Sequence, residues 1–257
     1  MTASELEQLA EAKHREQVKF IAMVAHELRS PLNPIRNAAE LLKRVRSEAV
    51  LADVQGILER QVIHMAQLID DLLDGSRGAT GKFRIKPASV DIVQIIETSI
   101  ESCRAAIETR RQHLSVQLPS GSVWAPGDGV RLTQIFSNLL DNASKYTFED
   151  GTISLSLEMH DDRVLIIIAD TGIGISPAAM PRIFDLFVQE DHALRLHSGG
   201  LGIGLAVVRD LVEAHGGTIV ATSAGKGCGS EFVVSLPISL QPTEGVSVPD
   251  MQEPKSS

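Results

Sequence analysis

Apolar residues in the first third of the chain repeat every seven positions, in two series separated by a short break at residues 47–50. A repeat of seven places side chains on one face of an α-helix, as in helical bundles. The first series predicts a long helix over residues 4–46, and the second predicts a helix that begins at residue 51. This helix seam comprises Ile21, Leu28, Ile35 and Leu42 with Val24, Ala38 and Val45 beside them, then Leu51, Leu58, Met65 and Leu72 with Val62 and Ile69 beside them.

The two predicted helices form an antiparallel hairpin, which buries too little apolar surface to be stable alone. A symmetric dimer would supply the missing surface and produce a four-helix bundle. The Gly/Ser/Thr-rich segment Gly75–Gly81 follows and is typical of a domain boundary. We therefore expect a homodimerising helical domain over residues 1–77.

Beyond residue 78 the apolar pattern alternates between strand and helix periods. The predicted strands are Phe83–Lys86, His113–Leu118, Thr152–Met159, Arg163–Asp170, Thr218–Ser223 and Ser230–Leu236, and the predicted helices are Asp91–Arg110, Gly129–Tyr146, Pro181–Phe187 and Ile203–His215. This order predicts an α/β sandwich with helices on one face of a mixed sheet, over residues 78–238. Residues 239–257 are rich in Pro, Ser and Glu and are predicted to be a disordered tail or linker. The fold class expected for the whole chain is α+β.

Composition and charge exclude several classes of protein. With 257 residues, of which 43% are apolar and 22% charged, the chain is expected to be globular and large enough for two domains. Its net charge of −9 argues against nucleic-acid binding, which needs a basic surface. The longest apolar run, Val164–Ala169, is far shorter than the about eighteen residues of a membrane span. Cys103 and Cys228 lack metal-ligand spacing and are expected to be reduced structural thiols. We expect a cytoplasmic chain, with membrane attachment only through a region that precedes these residues in a longer natural protein.

His26 lies in the first predicted helix but off the helix seam, with Glu27 beside it and Ser30 one turn later. A lone exposed histidine on a helix is most often an ordinary solvated side chain. Pro31 and Pro34 follow within the helical pattern, where each removes a backbone donor. They either bend a long helix around a neighbour or deform the turn after His26 so that another molecule can approach the imidazole.

Polar residues that suit a nucleotide recur in three later segments. Asn138 and Asn142 are four residues apart on one predicted helix that ends with Lys145 and Tyr146. Asparagine oxygens can bind a hard cation, and a lysine offers a point charge to phosphate. Asn residues on a helix are nevertheless more often surface residues, so this segment alone decides nothing.

Two glycine-containing loops complete the set. Asp170 ends a predicted strand and is followed by Gly172 and Gly174, which permit close approach of the backbone to a ligand. The second loop, Gly199–Gly204, leads into a helix, whose first N–H groups attract anions. It lacks the lysine of a Walker A loop and the context of a dinucleotide-binding fold. Taken together, the three segments predict one pocket for adenine, magnesium and phosphates.

The segments HELRSPL, NLLDNASKYT, DTGIGI, IFDLF and GGLGIGL, in this order, resemble the sensor histidine kinases of two-component signalling. The resemblance covers residues from about 16 to 237 and implies a phosphotransfer hairpin followed by an ATP-binding domain of the gyrase and Hsp90 type. It implies that His26 is the phosphoacceptor and Glu27 its acid/base partner. For ATP and Mg²⁺ it implies binding by Asn138, Asn142, Lys145, Tyr146, Asp170, Gly172, Gly174, Ile175, Gly200, Leu201, Gly202 and Gly204, with the two asparagines on the metal.

The resemblance implies transfer of the phosphoryl group from His26 to an aspartate of a response-regulator receiver domain. The family often has Thr or Asn where this chain has Ser30, a position linked to dephosphorylation of the partner. An alternative is an ATP-sensing dimeric scaffold without phosphotransfer. An ATP-hydrolysing clamp of the gyrase kind would explain the pocket but not the His26–Glu27 pair.

Overall fold

The computed structural model describes residues 21–22, 24–25, 28–43, 47, 50–52, 54–62, 65–66, 69, 85–188 and 202–238. In the N-terminal part, residues 28–42 form helix α1 and residues 54–62 belong to helix α2. Helix α1 continues without interruption through Pro31 and Pro34, so the two prolines do not end it. His26 and Glu27, for which functional roles were predicted, lie outside the described residues. Residues 4–20 of the predicted first helix and the tail from residue 239 also lie outside them.

The helix seam is only partly covered within one chain. Ala38 of the seam is almost fully buried, as is Val54 on helix α2. Ile21 and Val62, in contrast, each expose 60% of their surface. The other strongly exposed seam residues are Leu42, Leu51 and Ile69. A single chain therefore leaves apolar surface of this hairpin in contact with water.

The second part of the chain contains the strands β1 (Ala88–Asp91), β2 (His113–Gln117), β3 (Trp124–Gly127), β4 (Thr152–His160), β5 (Arg163–Asp170), β6 (Thr218–Thr222) and β7 (Ser230–Pro237). Five of them form one sheet, in the order β2-β4-β5-β7-β6. Strand β2 runs parallel to β4, and all other neighbours are antiparallel, which confirms the predicted mixed sheet. Strands β1 and β3 pair separately in a two-stranded antiparallel sheet.

Three helices, α3 (Ile92–Thr109), α4 (Gly129–Tyr146) and α5 (Gly204–Ala214), bury their apolar faces together with one face of the sheet. Alternate residues of β4 and β5, such as Leu155 and Ile166, point into this core because side chains alternate along a strand. Helix α4 packs against α3, α5 and β5, and so occupies the centre of the helical layer. The domain confirms the α+β class and the predicted sandwich.

Two predicted elements differ from the structure, and one observed strand was not predicted. The strand expected at 83–86 is wrong for its described residues, since 85–87 have no regular structure and β1 begins only at Ala88. Pro87 lacks the N–H that a strand ladder uses. Strand β3 was not predicted, because it is short and contains Pro126 and Gly127. The helix expected at 181–187 is a 3₁₀ turn of three residues, Met180–Arg182. Phe187, at the end of the predicted range, has a positive φ of 66°, which an α-helix excludes.

No helix within the described ranges is long and apolar enough to cross a lipid bilayer.

Candidate functional site

Helix α4 presents the predicted asparagines beside its buried face. Asp128 begins the helix by accepting hydrogen bonds from the N–H groups of Val130 and Arg131. The apolar residues of α4 pack into the core, which leaves Asn138 and Asn142 half-buried at the edge of that face. The Asn138 side-chain nitrogen is buried without a hydrogen-bond partner among the described residues. A buried amide of this kind is costly unless a ligand pairs with it, so it suits a binding site.

Asp170, the last residue of β5, is the central polar group of the site. Its carboxylate accepts hydrogen bonds from the backbone N–H of Gly172 at 2.7 Å and from the hydroxyl of Ser230 at 2.5 Å. Burial raises the pKa of the Asp170 carboxyl, and the hydrogen bonds from Ser230 and Gly172 partly oppose this rise. Asp170 thus combines partial burial with oriented lone pairs, as recognition of an amine requires.

The loop after β5 turns back against the end of α4. The N–H of Ile173 donates to the carbonyl oxygen of Tyr146 at 3.0 Å. A Cβ atom on Gly172 would lie 2.2 Å from that same oxygen, so this close approach requires glycine. The loop after Asp170 and the turn bearing Tyr146 therefore form one wall.

The loop between β6 and β7 supports this wall from the other side. Gly174 has a φ of +66°, and a Cβ there would lie 2.1 Å from the carbonyl oxygen of Gly225. The Ser223 hydroxyl donates to the Gly229 carbonyl at 2.6 Å and accepts from the N–H of Ile175 at 3.0 Å. Ile175, predicted to bind the nucleotide, is thereby tied to the loop that follows β6. The Gly-rich stretch at 225–229 is the only sequence signal that could have indicated these contacts.

Helix α5 begins at Gly204 without a side-chain cap, because Ile203 at the N-cap has no polar side chain. The first N–H groups of a helix have no partner within the helix and attract anions. Gly202, with a φ of +64°, accepts a hydrogen bond through its carbonyl oxygen from the N–H of Phe187 at 2.8 Å. The predicted phosphate-binding residues Gly200 and Leu201 lie outside the described residues.

Lys145 and Tyr146 lie side by side at the end of α4. The ammonium nitrogen of Lys145 is 5.5 Å from the centre of the Tyr146 ring, within cation–π range. Burial, with a smaller contribution from the charge of Asp141, raises the pKa of the Tyr146 hydroxyl. Tyr146 is therefore neutral and the ammonium lies next to its ring.

The predicted residues of the N-terminal helix are only partly described. Ser30 is exposed on α1. Val24 and Leu28, which flank residues 26 and 27, are half-buried and pack against the core of the sheet-containing part. Val24 and Leu28, on either side of residues 26 and 27, therefore lie close to this core.

The described residues contain no group of three or more His, Cys, Asp or Glu side chains arranged to hold a metal ion. A cation in this site would depend on amide oxygens and on the phosphates of a ligand, as is common for Mg²⁺. The half-buried Asn138 and Asn142 and the uncapped start of α5 are compatible with such a ligand.

Two family models match separate parts of the chain. Residues 16–81 match the His Kinase A (phospho-acceptor) domain. Residues 127–240 match the histidine kinase-, DNA gyrase B-, and HSP90-like ATPase. Together the two matches cover more than half of the chain, in the order predicted from its motifs.

Individual proteins match across most of the chain. The adaptive-response sensory kinase SasA of Thermosynechococcus vestitus is 36% identical over 250 residues, which cover 91% of this chain and 65% of SasA. The signal transduction histidine-protein kinase BaeS of Escherichia coli is 31% identical, with 92% of this chain and 50% of BaeS covered. The structure of full-length ShkA in complex with AMPPNP matches with a TM-score of 0.63 and 30% identity, covering 86% of this chain and 46% of ShkA. The chain thus spans less than two thirds of the length of these relatives.

Proposed function

Because the chain belongs to the sensor histidine kinases, we propose that it phosphorylates its own His26 with ATP and passes the phosphoryl group to a receiver domain. The observation that carries this proposal is the wall in which the Asp170 loop lies directly against the last turn of α4. It unites two motifs that are more than twenty residues apart in the sequence. An isolated Asp-Gly loop or an isolated asparagine helix would not favour ATP over other ligands.

In this proposal each part of the pocket binds a different part of ATP. Asp170 accepts a hydrogen bond from the adenine amine, which its half-buried carboxylate favours. Gly172, Gly174 and Ile175 shape the wall beside the base. The first N–H groups of α5, with Gly202 and Gly204 and the undescribed Gly200 and Leu201, bind the phosphates. Lys145 and Tyr146 contact the nucleotide at the end of α4.

Asn142, together with Asn138, is proposed to bind Mg²⁺ through its amide oxygen. When bound, the ion would neutralise charge on the phosphates. Rotation of the Asn138 amide exchanges its oxygen and nitrogen, so the unpaired buried end can present either a donor or an acceptor to a ligand.

The proposed reaction is an in-line phosphoryl transfer. A ring nitrogen of His26 forms a bond to the γ-phosphorus, while the bond from that phosphorus to the bridging oxygen breaks and ADP leaves. Glu27 accepts a hydrogen bond from the other ring nitrogen, which fixes the tautomer and supports the developing positive charge. Ser30, exposed on α1, would orient water for hydrolysis of the phosphoryl group on the partner.

The domains proposed are residues 1–77 for dimerisation and phosphotransfer, 78–238 for ATP binding, and 239–257 as a tail or linker. The packing of Val24 and Leu28 against the core of residues 85–238 supports access of the His26 segment to the ATP-binding domain. The homodimer would cover the exposed helix seam. The receiver domain would dock on the helical surface around His26.

The test is incubation of the purified chain with γ-labelled ATP and Mg²⁺. We expect label that is labile in acid and stable in alkali, as phosphohistidine is, and we expect its loss in His26→Ala. Label that persists in His26→Ala would refute the assignment of the phosphoacceptor. Steady ADP release without any phosphoprotein would instead favour an ATP-hydrolysing clamp, and nucleotide binding without either product would favour the scaffold.

In the same assay, Asn142→Ala serves as the control for the nucleotide site. It is expected to fold, because Asn142 is only half-buried, and to lose Mg²⁺-dependent labelling. Undiminished labelling would remove the proposed metal-binding role of Asn142 without affecting that of His26.

A further inference from the structure

The end of helix α4 is held by side chains that lie outside every motif discussed so far. The last carbonyl oxygens of a helix have no partner within the helix. At the end of α4 these are the carbonyls of Ser144, Lys145 and Tyr146 and of the C-cap residue Thr147, and each accepts a hydrogen bond from another part of the chain. The backbone N–H of Ile173 donates to the Tyr146 carbonyl. Arg110 and Gln112, which lie between α3 and β2, supply the other donors.

Gln112 is a buried side chain whose polar atoms are both used. Its amide nitrogen donates to the carbonyls of Ser144 at 2.8 Å and Thr147 at 2.9 Å. Its amide oxygen accepts from the Ser144 hydroxyl at 2.8 Å. Carbonyl oxygens can only accept, so the carbonyls of Ser144 and Thr147 fix the orientation of the amide with its nitrogen toward the helix end, and the Ser144 hydroxyl then donates to the amide oxygen. Gln112 is 7% exposed, so water does not compete for these bonds.

Arg110 adds a charged donor to the same turn. One terminal nitrogen of its guanidinium lies 3.1 Å from the carbonyl oxygens of both Ser144 and Lys145. A cation near the C-terminal end of a helix also interacts favourably with the helix dipole. Arg110 and Gln112 together thus bind three of the four free carbonyls, and the fourth binds the Asp170 loop.

We propose that Arg110 and Gln112 are positioning residues of the nucleotide site, acting through the last turn of α4. This turn carries Lys145 and Tyr146, follows Asn142 directly, and anchors the Asp170 loop through the Tyr146 carbonyl. Fraying of the turn would move all of these groups at once. The inference rests on the proposed function, since it assigns a role in ATP binding to residues that touch no nucleotide themselves.

The experiment measures the affinity of the intact chain for Mg²⁺·AMPPNP by calorimetry, well below the unfolding temperature. Arg110→Ala is expected to weaken binding about fivefold, the loss that corresponds to one hydrogen bond. Arg110→Lys keeps a cationic donor and is expected to restore most of the affinity. Gln112→Met keeps the length of the side chain but removes the amide, and is expected to weaken binding at least as much as Arg110→Ala.

Ser99→Ala is the matched control. The Ser99 hydroxyl is fully buried and donates to the Ile95 carbonyl, so its loss destabilises the same helical layer. It does not contact the end of α4, and nucleotide affinity should therefore remain at the wild-type value. Hydrogen exchange at the Ile173 N–H gives an independent readout, which we expect to accelerate in Arg110→Ala and to stay unchanged in Ser99→Ala.

If folded Arg110→Ala binds AMPPNP with wild-type affinity, the proposed positioning role is overturned. If Gln112→Met does not fold, Arg110→Ala alone tests this role. Equal weakening by Ser99→Ala would also overturn it, because general destabilisation would then account for the effect. A wild-type chain that binds no AMPPNP would overturn both this inference and the proposed function, whereas unchanged variants beside a binding wild type refute only the inference.

Discussion

Asp170 illustrates how a single residue combines a structural cost with a proposed function. Burial raises the pKa of its carboxyl above the ordinary value of 3.8, so the folded protein disfavours the charged form. Because the pKa is raised in the folded state, the protonated Asp170 carboxyl makes its full contribution to stability below pH 3.8. This contribution is lost as the pH rises through the raised pKa. The ionised carboxylate is nevertheless the stronger acceptor for an amine. At this residue, stability and binding therefore have opposite pH dependence.

Asp170→Asn should separate these two effects. Asparagine can still accept from the Gly172 N–H and pair with the Ser230 hydroxyl, but it carries no buried charge. We expect the stability of the variant relative to wild type to increase as the pH rises from 3.8 through the raised pKa of Asp170, as measured by thermal unfolding. Nucleotide affinity at neutral pH should fall by about tenfold or more, because a hydrogen bond to a charged group is lost. A relative stability that does not change with pH would contradict this account.

At the scale of elements, the site depends on loops that approach one another too closely for side chains. The Asp170 loop lies between the end of α4 and the loop joining β6 to β7. Gly174 of the Asp170 loop contacts the backbone of Gly225 in the β6–β7 loop and adopts a left-handed conformation. Backbone contacts between these loops, and not polar side chains alone, therefore determine the position of the Asp170 loop in the site.

Gly174→Ala is expected to lower the free energy of unfolding. The left-handed conformation alone costs alanine about 1–2 kcal/mol, and the clash of its Cβ with the Gly225 carbonyl adds to this cost. Gly204→Ala is the control for the chemical change, because a Cβ at Gly204 meets no atom within 4 Å and the residue begins a helix. Its stability should be unchanged or higher. Chemical denaturation measures both variants, and equal stability of the two would show that the loop packing is more tolerant than its contacts indicate.

At the scale of the whole molecule, two exposed apolar surfaces differ in their expected role. Val62 on the helix seam and Val220 on the outer face of the sheet are similarly exposed, at 60% and 56%. Only the first belongs to a repeat that continues along two helices. Seam residues of this kind usually pair with a second copy, whereas single exposed apolar residues need no partner.

We expect Val62→Glu to convert the proposed homodimer into a monomer, because the charge would be buried in the bundle interface. Val220→Glu carries the same change at nearly the same exposure and should remain dimeric. Sedimentation equilibrium at micromolar concentration distinguishes the two. A Val62→Glu chain as dimeric as Val220→Glu would exclude this seam as the dimer interface.

Much of the fold could be predicted because the relevant signals are local. The bounds of α4 were predicted correctly from its apolar period, and its start coincides with the Asp128 cap. The β4–β5 hairpin joins the two adjacent predicted strands, Thr152–Met159 and Arg163–Asp170, across a short acidic turn. The β1–β3 sheet was not predicted, since β3 contains a proline and a glycine and gains its order from pairing with a strand more than thirty residues earlier. Short strands of this kind have little periodicity of their own.

The sequence by itself determined the family, the order of the elements and the residue types that the proposed chemistry requires, because these depend on local spacing and on motifs. Only the tertiary structure decided what holds those residues in place. Ser230 binds Asp170 across 60 residues of chain, and Gln112 binds the end of α4 across 32 and 35 residues. No local pattern specifies such partners, since they meet only when the sheet and the helical layer have assembled. The site is thus composed of local motifs whose geometry is imposed by distant contacts.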